Sequence, residues 1–140
     1  MALFTEGIEL ANVVYGVTNA NAITVNTSTP TAIATVSITP QRTSSRILII
    51  ATGDGNPNQS AGWHMYQIYR DSTAVGGRYI NENAGNASKN CPFSVAHIDH
   101  PNTTSAVSYS VRVHQGSGSF TYGEQGNIQG TTILAVEILQ

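Results

Sequence analysis

Apolar and polar residues alternate along much of the chain, which is the pattern of a β-strand with one buried face. In residues 31–39, small and branched apolar side chains occupy one set of alternate positions: Ala32, Ala34, Val36 and Ile38. Hydroxyl side chains fill the other set, with Ile33 as the exception. The same alternation recurs in residues 108–114 and 134–139. Each of these segments predicts a strand that lies on a core.

Two segments are apolar or aromatic without alternation, which predicts strands that are buried on both faces. The first is residues 46–52, followed by the turn-forming residues 53–58 (GDGNPN), and the second is residues 64–70. Shorter strands are predicted at residues 22–26, 73–80, 93–99 and 120–122. Short strands joined by polar turns, without helical periodicity, indicate an all-β sandwich, jelly roll or small barrel.

Residues 1–20 form an apolar lead-in to the chain. Its apolar side chains are Leu3, Phe4, Ile8, Leu10, Val13, Val14 and Tyr15. One interpretation is a first strand with a loose terminus, because chain ends stay poorly ordered unless they are tied down. The other interpretation is an arm that docks on a neighbouring subunit or on a larger surface. Residues 21–140 contain no linker and no internal repeat, and they predict a single β-sandwich domain.

Charged residues make up only 10% of the 140 residues, and the formal net charge is −2. Since there is no basic cluster, nucleic-acid binding by phosphate neutralisation is not expected. No apolar run approaches the ~18–20 residues of a membrane span, and the first residues lack the features of a signal peptide. The single Cys91 can form neither an intramolecular disulfide nor a cysteine cluster for a metal.

The most enzyme-like feature is the sequence His97-Ile-Asp-His100. On a strand, His97 and Asp99 share a face, and His100 lies opposite. A metal site needs convergent ligands, and no second cluster of histidine, cysteine or carboxylate supplies them, although a trimer could bring three copies of one histidine together. No serine lies in a G-x-S-x-G motif, and the sequence pairs no two carboxylates. We therefore expect a protein that is not an enzyme and that uses no metal or cofactor.

A sugar-binding surface would need exposed aromatic rings, which stack on sugars beside short polar side chains, whereas buried rings fill the core. The candidate glycan-facing residues are Trp63, Asp54, Asn56 and Asn58. Tyr66 and Tyr69 fit a core or a subunit interface better. Residues 53–58 lack the spacing of a calcium-binding EF-hand loop, so a turn is the preferred interpretation.

Four segments, taken in order, resemble a known kind of virion domain. They are residues 45–53 (SRILIIATG), 66–77 (YQIYRDSTAVGG), 108–113 (SYSVRV) and 131–139 (TTILAVEIL). Their strand character and order are similar to those of the small all-β domains of tailed-bacteriophage virion proteins, over about residues 31–140. The resemblance implies a jelly-roll-like antiparallel β-sandwich that forms a homotrimer, either as a capsid decoration (cement) protein or at a fibre tip. It assigns no functional residue.

A fibre protein would need a stalk, but the sequence contains no heptads and no collagen-like repeat. The resemblance therefore implies a decoration protein on the capsid surface, made in the host cytoplasm, with its own copies and the major capsid protein as partners. The apolar lead-in is the expected capsid contact. A trimer would also cover second apolar faces supplied by Ile33, Leu139, Tyr66 and Tyr69. The alternative is a receptor-binding fibre-tip or lectin-like module that recognises host surface glycan; neither function involves nucleic acid or membrane.

Overall fold

Ten β-strands, each antiparallel to its neighbours, account for most of the described chain. The computed structural model describes residues 9–17, 23–25, 28–57, 63–82, 91–116, 120–122 and 130–140. The strands are β1 (Glu9–Val17), β2 (Ile23–Val25), β3 (Thr31–Ile38), β4 (Arg46–Pro57), β5 (Trp63–Arg70), β6 (Thr73–Glu82), β7 (Cys91–Asp99), β8 (Val107–Gln115), β9 (Phe120–Tyr122) and β10 (Thr132–Leu139). These residues form no helix, and so none that could cross a membrane. The predicted all-β class is confirmed.

The strands form two antiparallel sheets that pack face to face as a β-sandwich. The front sheet has the order β1-β10-β4-β7, and the back sheet has the order β3-β8-β5-β6. The last two residues of β4, Asn56 and Pro57, pair with β9, which in turn pairs with β2. Because side chains alternate along a strand, each sheet points one face into the core and the other outward.

Branched and aromatic side chains from both sheets fill the space between them. Seven of the largest fully buried side chains are Ile33, Ile47, Ile49, Tyr66, Ile68, Tyr109 and Ile133. Tyr66 of the back sheet stacks on Phe93 of the front sheet, with ring centroids 3.9 Å apart. Aromatic pairs of this kind contribute about 0.5–1.5 kcal/mol beyond the area that they bury. This pair therefore stabilises the packing of the two sheets against each other.

A β-bulge in β3 changes the set of residues that face the core. The pairing of β3 with β8 shifts register between Ala32 and Ala34. Ile33 and Ala34 are therefore both buried, whereas Ala32 is exposed. The prediction that Ile33 lies on a second apolar face is wrong, because the bulge turns its side chain inward.

The tyrosines of β5 are covered within a single chain. Tyr66 is fully buried, because β5 lies in the middle of the back sheet and Tyr66 points into the core. The prediction that Tyr66 needs a trimer to cover it is therefore wrong. Tyr69 points outward but lies under the guanidinium of Arg112, 4.6 Å from its ring centroid. Leu139, at the end of β10, is half-buried.

Strand β4 is longer than the sequence predicts. Residues 53–57, predicted as a turn, continue the strand, and residues 53–55 pair with residues 91–93 of β7. This ladder gives hydrogen-bond partners to backbone groups that a turn would leave to water. Pairing with β7 therefore outweighs the turn propensity of the Asp-Gly and Asn-Pro dipeptides.

Glycines allow the two sheets to meet at both flanks of the sandwich. At one flank, Gly16 of β1 lies against the carbonyl oxygen of Thr35 in β3, where an added Cβ atom would overlap that oxygen. At the other flank, Gly76 of β6 lies against the ring of His97 in β7. The next residue, Gly77, has a φ of 60°, a conformation that favours glycine. Each edge strand of the front sheet is thus closed against an edge strand of the back sheet.

Candidate interaction surface

The outward side of the front sheet carries aligned rows of apolar side chains. The pairings of β1 with β10, β10 with β4 and β4 with β7 place one residue of each strand in a row. One row is Tyr15, Leu134, Ile50 and Ala96. The adjacent row is Val13, Val136, Leu48 and Ile98. Both central rows are therefore apolar from one edge of the sheet to the other.

Mixed rows flank the two central ones. Toward one end of the sheet lie Leu10, Ile138 and Arg46. Toward the other end lie Val17, Thr132, Thr52 and Ser94. We call the residues of these four rows the front face. Arg46 is the only charged residue in this set, so the front face is an apolar centre with one cation and a few hydroxyls at its ends.

The margins of the front face are open to solvent. On β1, Leu10, Val13 and Tyr15 are 57%, 60% and 74% exposed, and Ile98 on β7 is 50% exposed. Strands about 4.8 Å apart with about 3.3 Å per residue give the apolar part an area on the order of 300–400 Å². A footprint of this size is comparable to the largest apolar patch of a typical monomer, about 300–600 Å², and such a patch is often functional.

Residues 9–17 of the lead-in belong to the front sheet, because β1 pairs with β10 along its length. A register shift between Leu10 and Val13 lets both side chains point outward, although residues three positions apart on a regular strand point to opposite sides. Leu10, Val13 and Tyr15 therefore lie on the front face. Val14 is also a predicted capsid-contact residue, but it pairs with Ala135 and packs against the core. The other three predicted contact residues, Leu3, Phe4 and Ile8, lie outside the described residues.

The outward side of the back sheet is mostly polar. It carries Thr35, Ser37, Gln67, Ser108, Ser110 and Arg112. Arg112 donates one hydrogen bond to Ser110 Oγ at 3.1 Å and another to the carbonyl oxygen of Asp71. Trp63, at the start of β5, is 43% exposed and contacts His114 edge-on, with ring centroids 6.1 Å apart. This exposed indole beside His114 is the second surface feature that could bind a ligand.

The structure does not bring the four predicted glycan-facing residues together. Asp54, expected on an exposed loop, is buried because β4 continues through this position. The side chain of Asn56 and all of Asn58 lie outside the described part of the chain. Trp63 is the one described member of the four that is exposed at the surface.

Asp99 is the centre of a buried polar cluster. Its Oδ2 accepts hydrogen bonds from Arg70 Nη1 at 2.8 Å and from Tyr109 Oη at 2.6 Å. Burial, together with the neighbouring Asp99 carboxylate, raises the pKa of Tyr109 above its ordinary value. The Tyr109 hydroxyl therefore stays protonated and donates. These bonds join β5, β7 and β8, which gives Asp99 a structural role.

His97 lies at the flank between the two sheets, where its ring packs against Gly76. Between His97 and Asp99, only Ile98 points to the front face. Three copies joined through their front faces would therefore not bring their His97 rings together. Within the described residues, no three histidine, cysteine, aspartate or glutamate side chains lie close enough to hold a metal ion.

Glu137 is a buried carboxylate that the sequence analysis did not identify. It is fully buried on the inward side of β10. Its Oε1 accepts hydrogen bonds from the backbone N–H of Gln41 and from Ser45 Oγ, both at 2.6 Å. Its Oε2 accepts one from Asn12 Nδ2 at 2.8 Å. The sequence places Glu137 in the less apolar alternating set of its strand, and only the structure shows that this position points inward, where a charge needs several donors.

His64 makes the stability of the protein depend on pH. Its ring is fully buried, and burial lowers the pKa of His64 from 6.5 to about 4. The unfolded chain therefore binds this proton at a higher pH than the folded chain does. The contribution of the neutral His64 ring to the free energy of unfolding is fully present above pH 6.5 and is lost as the pH falls toward 4. We expect this residue alone to lower the free energy of unfolding by about 2 kcal/mol between about pH 7.5 and about pH 5.

Urea titrations at the two pH values measure the effect. His64→Gln should remove this part of the pH dependence, whatever it does to the stability at neutral pH. His100→Gln is the matched control, because His100 is exposed and should leave the pH dependence in place. An equal pH dependence in wild type and His64→Gln would contradict the prediction.

The front face is the larger of the two candidate surfaces, and its chemistry is that of a contact with another protein. The second candidate surface rests on one exposed side chain, Trp63. No known protein-family model matches the chain, and no curated protein matches it either.

Proposed function

We propose that the protein is a capsid decoration (cement) protein, which binds a phage capsid as a homotrimer and stabilises it. The observation that carries the proposal is the front face, with its two apolar rows and its exposed margins. Apolar surface left in water costs about 25 cal/mol per Å². Covering this face with protein is therefore favourable, and other copies of the same chain in a trimer would provide that cover.

The strand order supports a jelly roll, the fold implied by the resemblance to virion domains. With β2 and β9 set aside, the eight remaining strands can be counted from first to eighth along the chain. The front sheet then reads first, eighth, third and sixth, and the back sheet reads second, seventh, fourth and fifth. Two four-stranded sheets in this order are the arrangement of a jelly roll, a fold common in viral capsid and lectin domains.

Self-association suits the size and charge of the front face, and the trimer is the form that the resemblance to virion domains implies. A stable interface buries about 800 Å² on each partner, roughly twice the apolar part of this face, and the remainder is usually a polar rim. Here the row of Thr132, Thr52 and Ser94 at one end and Arg46 at the other end supply polar groups for such a rim. Because Arg46 is the one charged residue on the front face, copies can approach without strong repulsion. Closed cyclic symmetry is the usual form of such self-association.

The proposed mechanism on the capsid is mechanical. A trimer that contacts neighbouring capsid subunits adds buried interface to the assembled shell and shifts the equilibrium toward it by mass action. For the capsid contact we propose the apolar residues ahead of β1, Leu3, Phe4 and Ile8. The protein would be made in the host cytoplasm and act on the virion surface.

Light scattering after size exclusion tests the self-association. The wild-type protein should have a mass of about 44 kDa, three times the 14.8 kDa of one chain. Val13→Asp and Ile98→Asp should each give a folded chain of 14.8 kDa, because they place a carboxylate in an apolar row. Thr35→Asp is the matched control on the polar back sheet and should leave the mass at three chains.

Sedimentation with purified capsids tests the partner. Wild-type protein should pellet with capsids and should raise the temperature at which they open. A wild-type mass of one chain would refute the trimer, and a trimer that stays in the supernatant would refute the capsid partner.

The exposed Trp63 supports a second candidate function, recognition of surface glycan. A glycan array would then give a hit that Trp63→Ala abolishes, while Val13→Asp would not act on the sugar directly. Binding to capsids with no glycan hit favours the decoration function.

A further inference from the structure

We infer that copies of this chain meet head to tail, with the β1 side of one front face against the β7 side of the next. The inference rests on the proposed self-association and adds which parts of the front face touch. Three copies around an axis cannot use the same patch on both partners, so two different patches must meet. The front face supplies two such patches, its β1 side and its β7 side, whose side chains differ in size.

The row that contains Tyr15 has a large side chain at its β1 end and a small one at its β7 end. Tyr15 on β1 is 74% exposed, and the row ends on β7 at Ala96, whose side chain is a single methyl group. Ala96 is exposed, and on the same side of β7 it is flanked by Ile98 and Ser94. The β1 side therefore carries a projecting ring, and the β7 side carries a shallow recess.

The chemistry of the two sides matches as well as their shape. A tyrosine offers an apolar ring and a hydroxyl that needs a polar partner when it is buried. The β7 side offers an apolar surface for the ring and a polar partner for the hydroxyl. The apolar surface is Ile98, which is 50% exposed, together with Ala96, and the polar partner is the Ser94 hydroxyl next along the strand. The Tyr15 ring of one copy can lie on Ala96 and Ile98 of the next, with its hydroxyl toward Ser94. In the adjacent row, Val13 then contacts the apolar surface on the β7 side of the next copy.

Paired cysteines test this contact in the intact chain. The variant Tyr15→Cys/Ala96→Cys is made in a Cys91→Ser background and oxidised, and its mass is read on a non-reducing gel. The two positions lie at opposite edges of the front sheet, three strand spacings or about 14 Å apart. A disulfide needs Cα atoms within about 7 Å, so a bond within one chain is ruled out.

The expected result is a covalent trimer of about 44 kDa, with each single-cysteine variant remaining at 14.8 kDa on the gel. The matched control is Thr35→Cys/Ala74→Cys, the two ends of the corresponding row on the back sheet, which should give no covalent oligomer. Cross-linking of Tyr15→Cys alone, or a double variant that stops at dimers, would overturn the head-to-tail contact. The same holds if the double variant stays uncrosslinked while its mass in solution is that of a trimer. A wild-type protein that is monomeric in solution would overturn this contact together with the proposed trimer.

Discussion

Replacing Glu137 by leucine is expected to lower the free energy of unfolding by about 3–5 kcal/mol, one of the largest effects of any single substitution in this chain. Leucine is similar in volume and apolar, so burial itself is not the cost. The cost comes from the three donors that remain: the backbone N–H of Gln41, Ser45 Oγ and Asn12 Nδ2. Gln41 N–H and Ser45 Oγ each lose their acceptor, at about 1–3 kcal/mol for a buried group. Asn12 Nδ2 loses one of two acceptors, because it keeps the carbonyl oxygen of Thr39. Urea titration followed by tryptophan fluorescence measures the change.

Glu137→Gln should cost less than Glu137→Leu, because an amide oxygen can still accept from Gln41 and Ser45. The amide nitrogen then faces the Asn12 amide, so one donor is still left without an acceptor. Glu9→Gln is the matched control on β1, where the side chain is exposed, and should change stability by less than about 0.5 kcal/mol. Stability of Glu137→Leu within about 1 kcal/mol of wild type would show that the cluster is not needed.

The second large effect is expected from Gly16→Ala. The new Cβ atom would overlap the carbonyl oxygen of Thr35, which belongs to the backbone and cannot rotate away. Strand β1 must therefore move away from β3, and overpacking of this kind costs about 1–3 kcal/mol. The usual gain from replacing glycine by alanine, about 0.4–1 kcal/mol, is too small to offset it. Hydrogen exchange of the β1 amides should become faster, and the midpoint of urea unfolding should fall.

Gly116→Ala is the control for that substitution. The three atoms nearest to the added methyl group would all belong to the indole of Trp63, an exposed side chain that can shift. We expect its stability to stay within about 0.5 kcal/mol of wild type. If Gly16→Ala and Gly116→Ala were equally stable, the close contact between β1 and β3 would not constrain the fold.

Alternation along the chain was enough to predict the class of fold and most of the strands. It failed where a contact distant in sequence decides the local structure. Ile33 breaks the alternation of β3, and only the register with β8 shows that a bulge places it in the core. Residues 53–57 have strong turn propensity, and only the presence of β7 alongside makes them a strand.

The front face was visible in the sequence only as separate hints. Residues 46–52 lack alternation, which indicated a second covered side of that strand, and the lead-in carried unexplained apolar residues. What joins these hints is the register of β1, β10, β4 and β7, strands whose neighbours in the sheet are far apart in sequence. The buried roles of Asp99 and Glu137 depend in the same way on donors from distant segments.

The closed flanks of the sandwich bear on how molecules of this protein can aggregate. An open edge strand offers unpaired N–H and C=O groups to any other chain, and fibrils grow by adding strands there. Here β1 is held against β3 and β7 against β6, through contacts at Gly16 and Gly76 that leave little room for an incoming strand. A protein with only 10% charged residues has little electrostatic repulsion to keep its molecules apart. Steric closure of the edges then limits edge-to-edge association, and it leaves the outward faces of the sheets as the surfaces through which copies can meet.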